Sequence, residues 1–130
     1  MSEYFAALEH RLCEQFAAEA RGPKRNGLFA LWLVMRVAGD TLPPHAVTER
    51  AHRRRSEALV KRLASLTLPG PLRTPLHDAA SALGERSTTD VRHLMSELVP
   101  TVRQTLGSQA ANVVAAAAHR APPSGLRPKQ

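Results

Sequence analysis

The sequence contains no isoleucine, and aromatic residues make up only 4% of its 130 positions. It also lacks any run of alternating valine, threonine and tyrosine, which is the pattern typical of β-strands. A hydrophobic core therefore has to be built from leucine, valine and alanine, and these favour packed helices. We predict an all-α protein, a compact bundle of about six short-to-medium helices around a central apolar helix at 27–38.

Cysteine is nearly absent, because Cys13 is the only one in the chain. A single thiol cannot form an internal disulfide, and this favours a reducing compartment. The apolar segment at 28–38 contains Arg36 and is shorter than the roughly 20 residues that cross a bilayer. Glu3 and Glu9 interrupt the N-terminal apolar residues, unlike a secretory signal. We expect a cytoplasmic protein with no membrane span.

Motifs for catalysis are missing as well. The sequence has no glycine-rich phosphate loop, no nucleophile elbow and no spaced cysteine–histidine set. His45, Glu49 and His52 share one face of a predicted helix and include the Glu-x-x-His step of di-iron bundles. Such bundles need this step twice, and a second one is missing here. We therefore predict no enzyme activity, no cofactor and no metal site.

The most apolar stretch, 27–39, holds the only tryptophan. A helix that is apolar on nearly every face has to be surrounded by other helices. Asn26 is placed to cap this helix, and Gly39 is placed to end it. A first helix, running to about Arg21, carries an apolar stripe, while its other faces carry acidic residues: Glu3, Glu9, Glu14 and Glu19.

Four further helices are predicted beyond residue 40. The first runs to about Thr67, and because its seam begins with His52 and Ser56, we expect only its second half to be well buried. Pro75 opens a short helix, Pro100 kinks or divides the next, and an alanine-rich helix covers 109–118. Residues 1–120 then form a single helical domain, and 121–130 form a flexible basic tail.

Basic residues exceed acidic ones by 18 to 11, and this net charge of +7 attracts polyanions. The segment 48–66 contains six of the basic residues and only two acidic ones. Because consecutive helical residues point about 100° apart, Arg53, Arg54 and Arg55 cannot all face one ligand. We predict a phosphate-binding face formed by Arg50, Arg53, Arg54 and Lys61. The alternative is a solvated face with salt bridges inside the molecule.

Residues 76–94 resemble the helix-turn-helix of many bacterial regulators. Leu76, Ala80 and Leu83 fit its first helix and Gly84 fits its turn, whereas Glu85 stands where an apolar residue is usual. The resemblance implies that the second helix enters the major groove of DNA. The residues that it places near bases or phosphates are Arg86, Thr88, Thr89, Arg92 and His93. An ordinary helical hairpin is the alternative.

These observations together predict a non-enzymatic basic helical module that contacts nucleic acid or another polyanion in a regulatory or accessory role. The alternative is a protein–protein interaction module, such as an adaptor or accessory subunit, that acts through a helix face. Net charge favours the first, whereas the scarcity of aromatic residues for base stacking favours the second. The alanine-rich helix is narrow enough to pack against a partner or a second copy of the chain.

Overall fold

A computed structural model of the chain describes residues 3–39, 49–85 and 91–120, with side chains at 6–38, 50–84 and 93–118. Over these ranges it contains no strand and no helix long and apolar enough to cross a membrane. The predicted all-α bundle is confirmed. The six helices are α1 (Glu3–Ala18), α2 (Pro23–Gly39), α3 (Glu49–Ser65), α4 (Gly70–Glu85), α5 (Val91–Leu106) and α6 (Ser108–Arg120).

Helix α2 lies at the centre, packed against α1, α3, α4 and α5. Leu28 and Met35 are buried on one side of this helix and Ala30 and Val37 on the opposite side, as expected for a helix that is apolar almost all round. The bundle is completed by α6, which packs along α5 and against α1. The alanine-rich helix is therefore covered within the chain, and Ala110, Ala111 and Ala117 are fully buried.

The start of α2 differs from the prediction. Gly22, with φ +148°, precedes the helix, and its carbonyl accepts the N–H of Asn26 at 3.1 Å. Pro23 occupies the first helical position, where a missing N–H costs nothing. Asn26 consequently lies inside the helix, and its Nδ2 donates to the Thr67 carbonyl at 2.9 Å. This bond joins the start of α2 to the end of α3, so the two helices are antiparallel.

Helix α4 begins five residues earlier than predicted, and Pro75 lies inside it. Leu72 and Leu76, one turn apart, are both fully buried, so burial of Leu72 favours extension of the helix past the proline. The start of α4 is fixed by a turn in which the Leu72 N–H bonds to the Pro69 carbonyl at 3.0 Å. Tertiary packing thus outweighs the local signal of proline.

Pro100 was predicted to kink or divide α5; the helix is continuous through it, so a division is wrong, and the kink stays a prediction. Pro100 and Ser96 are both exposed, and the Ser96 carbonyl that loses its helical donor can bond to water. The turn to α6 depends on Gly107, whose φ of +101° suits a residue without a Cβ. Its N–H bonds to the Val102 carbonyl at 3.2 Å and its carbonyl accepts the Ala111 N–H at 3.2 Å.

The polar half of the α3 seam is buried, contrary to expectation. His52 is 0% exposed and Ser56 is 3% exposed. His52 Nε2 lies 2.7 Å from the Leu83 carbonyl, one of the last carbonyls of α4, and Ser56 Oγ donates to the Ala80 carbonyl at 2.7 Å. The two side chains satisfy backbone acceptors near the end of α4, so burying them costs little. A Cβ on Gly84 would lie 2.7 Å from Ser56 Oγ, which shows how closely the helices approach.

Some sequence predictions fall outside the described residues. They concern the start of the third helix in 40–48, the cap of the fifth helix in 86–90, and the tail at 121–130. The assignment of 1–120 to a single domain and of 121–130 to a flexible tail stays a prediction.

We expect His52→Ala to lower the free energy of unfolding by about 2–4 kcal/mol. The substitution leaves a cavity and removes a buried hydrogen bond to the end of α4. Urea denaturation followed by circular dichroism measures this loss. Arg53→Ala at the next, exposed position is the control and should change stability by less than about 0.5 kcal/mol. Equal stability of the two variants would contradict the role assigned to His52.

Candidate nucleic-acid interface

The orientation of α3 decides which of its basic residues reach solvent. Its buried residues, His52, Ser56, Leu59 and Leu63, recur at steps of four and three and face the bundle. At about 100° per residue, Arg50, Arg54 and Lys61 fall on the opposite side of the helix. All three are exposed. Arg53 is exposed as well, and it lies on the flank between this outer side and the core.

The same four residues, Arg50, Arg53, Arg54 and Lys61, form no ion pair within the part of the chain that the structure describes. Glu57 is four residues from both Arg53 and Lys61, yet it pairs with neither. We call these four residues the α3 outer face. Their charges are directed into solvent, where a phosphate can reach them without breaking an internal contact.

Basic residues of α2, by contrast, are held within the molecule. Arg36 Nη1 lies 3.8 Å from Glu9 Oε1, and Lys24 Nζ lies 3.7 Å from Glu19 Oε1. Glu9 and Glu19 therefore offset the charges of Arg36 and Lys24, whereas no described acidic residue pairs with the α3 outer face. Arg25 is held by an aromatic ring and a carbonyl. Its guanidinium carbon lies 4.4 Å from the Phe16 ring centroid, and its Nε donates to the Phe16 carbonyl at 3.3 Å.

The other flank of α3 faces α2. Arg55 and Arg62 lie on this side. The Arg62 guanidinium stacks over the Phe29 ring, 5.3 Å from its centroid. A cation over an aromatic face is stabilised by the ring quadrupole, by about 0.5–1 kcal/mol at an exposed site.

Part of the predicted interface lies beyond the described residues. This applies to Arg86, Thr88 and Thr89, and to the side chain of Arg92 within α5. His93 is exposed in the first turn of α5, and its Nε2 lies 3.2 Å from Glu97 Oε2. A carboxylate this close opposes a phosphate at the same position. The resemblance to a helix-turn-helix stays a prediction.

The fold brings the start of α3 and the start of α5 to the same end of the bundle. His52 near the start of α3 bonds to Leu83 near the end of α4, and α5 begins six residues after α4 ends. Helix α4 packs against both neighbours and so lies between them. Lys61 is eleven residues beyond Arg50, which places it about 16 Å farther along α3.

No group of three histidine, cysteine or acidic side chains that could hold a metal occurs among the described residues. Of the histidines considered from the sequence, His52 bonds to a carbonyl of α4, and His45 lies in the range that is not described. His10 and Glu14 form an exposed pair one turn apart on α1, 3.5 Å between Nε2 and Oε2.

An aromatic cluster between α1 and α2 was not predicted from the sequence. Phe16, Phe29 and Trp32 form a continuous aromatic cluster, with ring centroids 5.3 Å and 5.7 Å apart. Arg36 lies over the Trp32 ring at 5.2 Å. Phe29, Trp32 and Arg36 are three and four residues apart on α2, which is a local signal, whereas Phe16 comes from α1.

Comparison with known proteins adds no functional information. No protein-family model matches the chain, and we find no significant match among curated proteins or solved structures. The function has to be inferred from the arrangement of its own residues.

We expect Arg53 and Arg54 to react with phenylglyoxal faster than Arg25 and Arg62. The first two guanidinium groups are exposed and have no ion pair within the described chain, whereas the other two stack on rings. Limited modification followed by peptide mass spectrometry gives the rate at each position. Equal rates at all four positions would show that the α3 outer face is no more accessible than the stacked arginines.

Proposed function

We propose that this chain is a non-enzymatic module that binds nucleic acid through the α3 outer face. The observation that supports this is the contrast between two sets of basic residues. Those of α2 are paired or stacked with other residues of the chain, whereas Arg50, Arg53, Arg54 and Lys61 form no ion pair among the described residues.

The chemistry of this face suits the phosphate backbone better than the bases. Three of its four residues are arginines, whose planar guanidinium groups bond two phosphate oxygens at once. Arg50 and Arg54 are one turn apart, about 6 Å along the axis, so both can reach the same strand. No aromatic side chain lies on the described part of α3, which leaves the face without a platform for base stacking. We therefore propose binding that depends little on base sequence.

The start of α5 is the second element of this proposal. It lies at the same end of the bundle as Arg50 and Arg53, and the predicted contacts Arg86, Thr89, Arg92 and His93 belong to it or precede it. In the proposed complex α3 holds the backbone, and these residues extend the contact along the nucleic acid. The same positive surface fits an acidic protein face, and the two partners differ in their response to salt.

Arg53→Glu with Arg54→Glu should weaken binding to a fluorescein-labelled 20-base-pair DNA duplex by at least about a hundredfold. Removing two phosphate contacts and adding two repulsive charges at the same place has this order of effect. Fluorescence anisotropy at low salt measures affinity, and circular dichroism confirms that helicity is kept.

The matched control for this double reversal is Arg11→Glu with Arg73→Glu. Both of these residues are exposed, on α1 and α4, and the change in net charge is identical. The control should retain most of the affinity. An equal loss in both variants would mean that only the overall charge matters, and unchanged binding after reversal at 53 and 54 would exclude the α3 outer face.

The salt dependence of binding separates a nucleic-acid partner from a protein partner. If the four residues of the α3 outer face each neutralise one phosphate, log affinity should fall against log salt concentration with a slope of about −3.6 on duplex DNA and about −2.8 on a single strand. Titrations between 50 and 200 mM NaCl give the slope. A slope near zero on both would contradict phosphate binding and favour the interaction-module alternative.

A further inference from the structure

The side chain of Arg62 is held over an aromatic ring, on the side of α3 that faces α2. Its guanidinium carbon lies 5.3 Å from the centroid of the Phe29 ring, and the residue is exposed. Arg62 forms no ion pair within the part of the chain that the structure describes. One face of the planar guanidinium group is therefore covered by the ring, and the other face is open to solvent.

The ring behind Arg62 is itself fixed by its neighbours. Phe29 is half-buried and contacts two further rings, with centroid distances of 5.3 Å to Phe16 and 5.7 Å to Trp32. A guanidinium group that already rests on a fixed ring loses less conformational freedom when a ligand stacks on its open face. We call Arg62 together with Phe29 the stacking platform.

The stacking platform is continuous with the α3 outer face. Arg54, Ala58 and Arg62 follow one another at intervals of four residues, so they form one row along the helix. Arg54 belongs to the outer face, and Arg62 lies about two turns beyond it, about 12 Å along the axis. Ala58 is exposed and its side chain is a single methyl group, so no large side chain stands in the row between the two arginines. A flexible strand that is held at Arg54 can therefore extend to Arg62.

Base stacking distinguishes a single strand from a duplex. In a duplex each base is already paired and stacked on its neighbours, and turning it outward costs free energy. In a single strand the bases are free to turn outward and to stack on an aromatic ring or on the plane of an arginine. A base that stacks on Arg62 completes three layers, in which the guanidinium group lies between the Phe29 ring and the base.

We propose that this chain binds single-stranded nucleic acid, with phosphates on the α3 outer face and one base on the stacking platform. The proposal rests on the proposed function and adds to it the form of nucleic acid and the residue that selects this form. Every base has a flat face, so a stacked base adds affinity without a requirement for one base sequence.

Three fluorescein-labelled probes of equal length separate the contribution of the base from that of the phosphate. Oligothymidylate of twelve nucleotides offers phosphates and flexible bases, an abasic strand offers phosphates alone, and a duplex offers phosphates with bases that are already stacked. Fluorescence anisotropy measures the affinity of the full chain for each. We expect oligothymidylate to bind about tenfold more tightly than the abasic strand, which is the order of effect of one stacked base.

Two lysine substitutions on α3 provide matched variants, because each keeps the charge and removes the planar group. Arg62→Lys should weaken the binding of oligothymidylate about tenfold and leave the abasic strand and the duplex unchanged, since an ammonium group offers a base no plane. Arg54→Lys should affect oligothymidylate and the abasic strand equally, since Arg54 is placed on phosphate. Phe29→Leu removes the supporting ring and should give the same pattern as Arg62→Lys. If Phe29→Leu fails to fold, the comparison of the two lysine variants still decides the question.

The outcomes that contradict this proposal differ from those that contradict the proposed function. Equal affinity for oligothymidylate and the abasic strand would exclude base stacking, and an equal loss on all three probes in Arg62→Lys would make Arg62 a phosphate contact. Unchanged binding of the abasic strand after Arg53→Glu with Arg54→Glu would exclude the α3 outer face, whatever the effect of Arg62→Lys. If no probe binds and an acidic peptide does, both proposals are wrong and the interaction-module alternative is favoured.

Discussion

The arrangement of charge on this molecule depends on the two hydrogen bonds by which α3 is held against the end of α4. His52 and Ser56 contact carbonyls of Leu83 and Ala80 at 2.7 Å, and both side chains are buried. A polar side chain buried in this way is satisfied at one rotation of the helix only, since turning α3 would leave the carbonyls and their partners unsatisfied. The same bonds that fix the helix therefore fix the direction of every arginine on it.

Two surfaces of different chemistry result from this single orientation. The side opposite the core presents the exposed basic residues Arg50, Arg54 and Lys61, so it suits an extended polyanion. The side toward α2 combines the guanidinium groups of Arg36, Arg55 and Arg62 with leucine, valine and tryptophan side chains. Arg54 and Arg55 are neighbours in the sequence, yet they belong to different surfaces because they point about 100° apart.

The number and order of the helices could be predicted from the sequence, because apolar spacing and breaks such as Gly22-Pro23 and Gly107 are local signals. The division of basic residues on α3 was also predictable, from its periodicity. The sequence predictions were wrong where the environment of a residue depends on a contact with a distant part of the chain. From the sequence, His52 and Ser56 were expected to be less buried than the second half of α3, because their carbonyl partners on α4 could not be known. The start of α4 depends on the burial of Leu72. The aromatic cluster had a local signal in the spacing of Phe29, Trp32 and Arg36 on α2, whereas its contact with Phe16 of α1 depends on the packing of two helices.

The close approach of Gly84 to Ser56 constrains how this protein can change over evolutionary time. A methyl group at position 84 would lie 2.7 Å from Ser56 Oγ, so a larger residue there pushes α3 away from α4 and toward α2. The width of the space between α2 and α3 therefore depends on Gly84, although Gly84 does not line that space. Positions 56 and 84 are therefore expected to vary together, because a larger residue at one of them requires a smaller residue at the other.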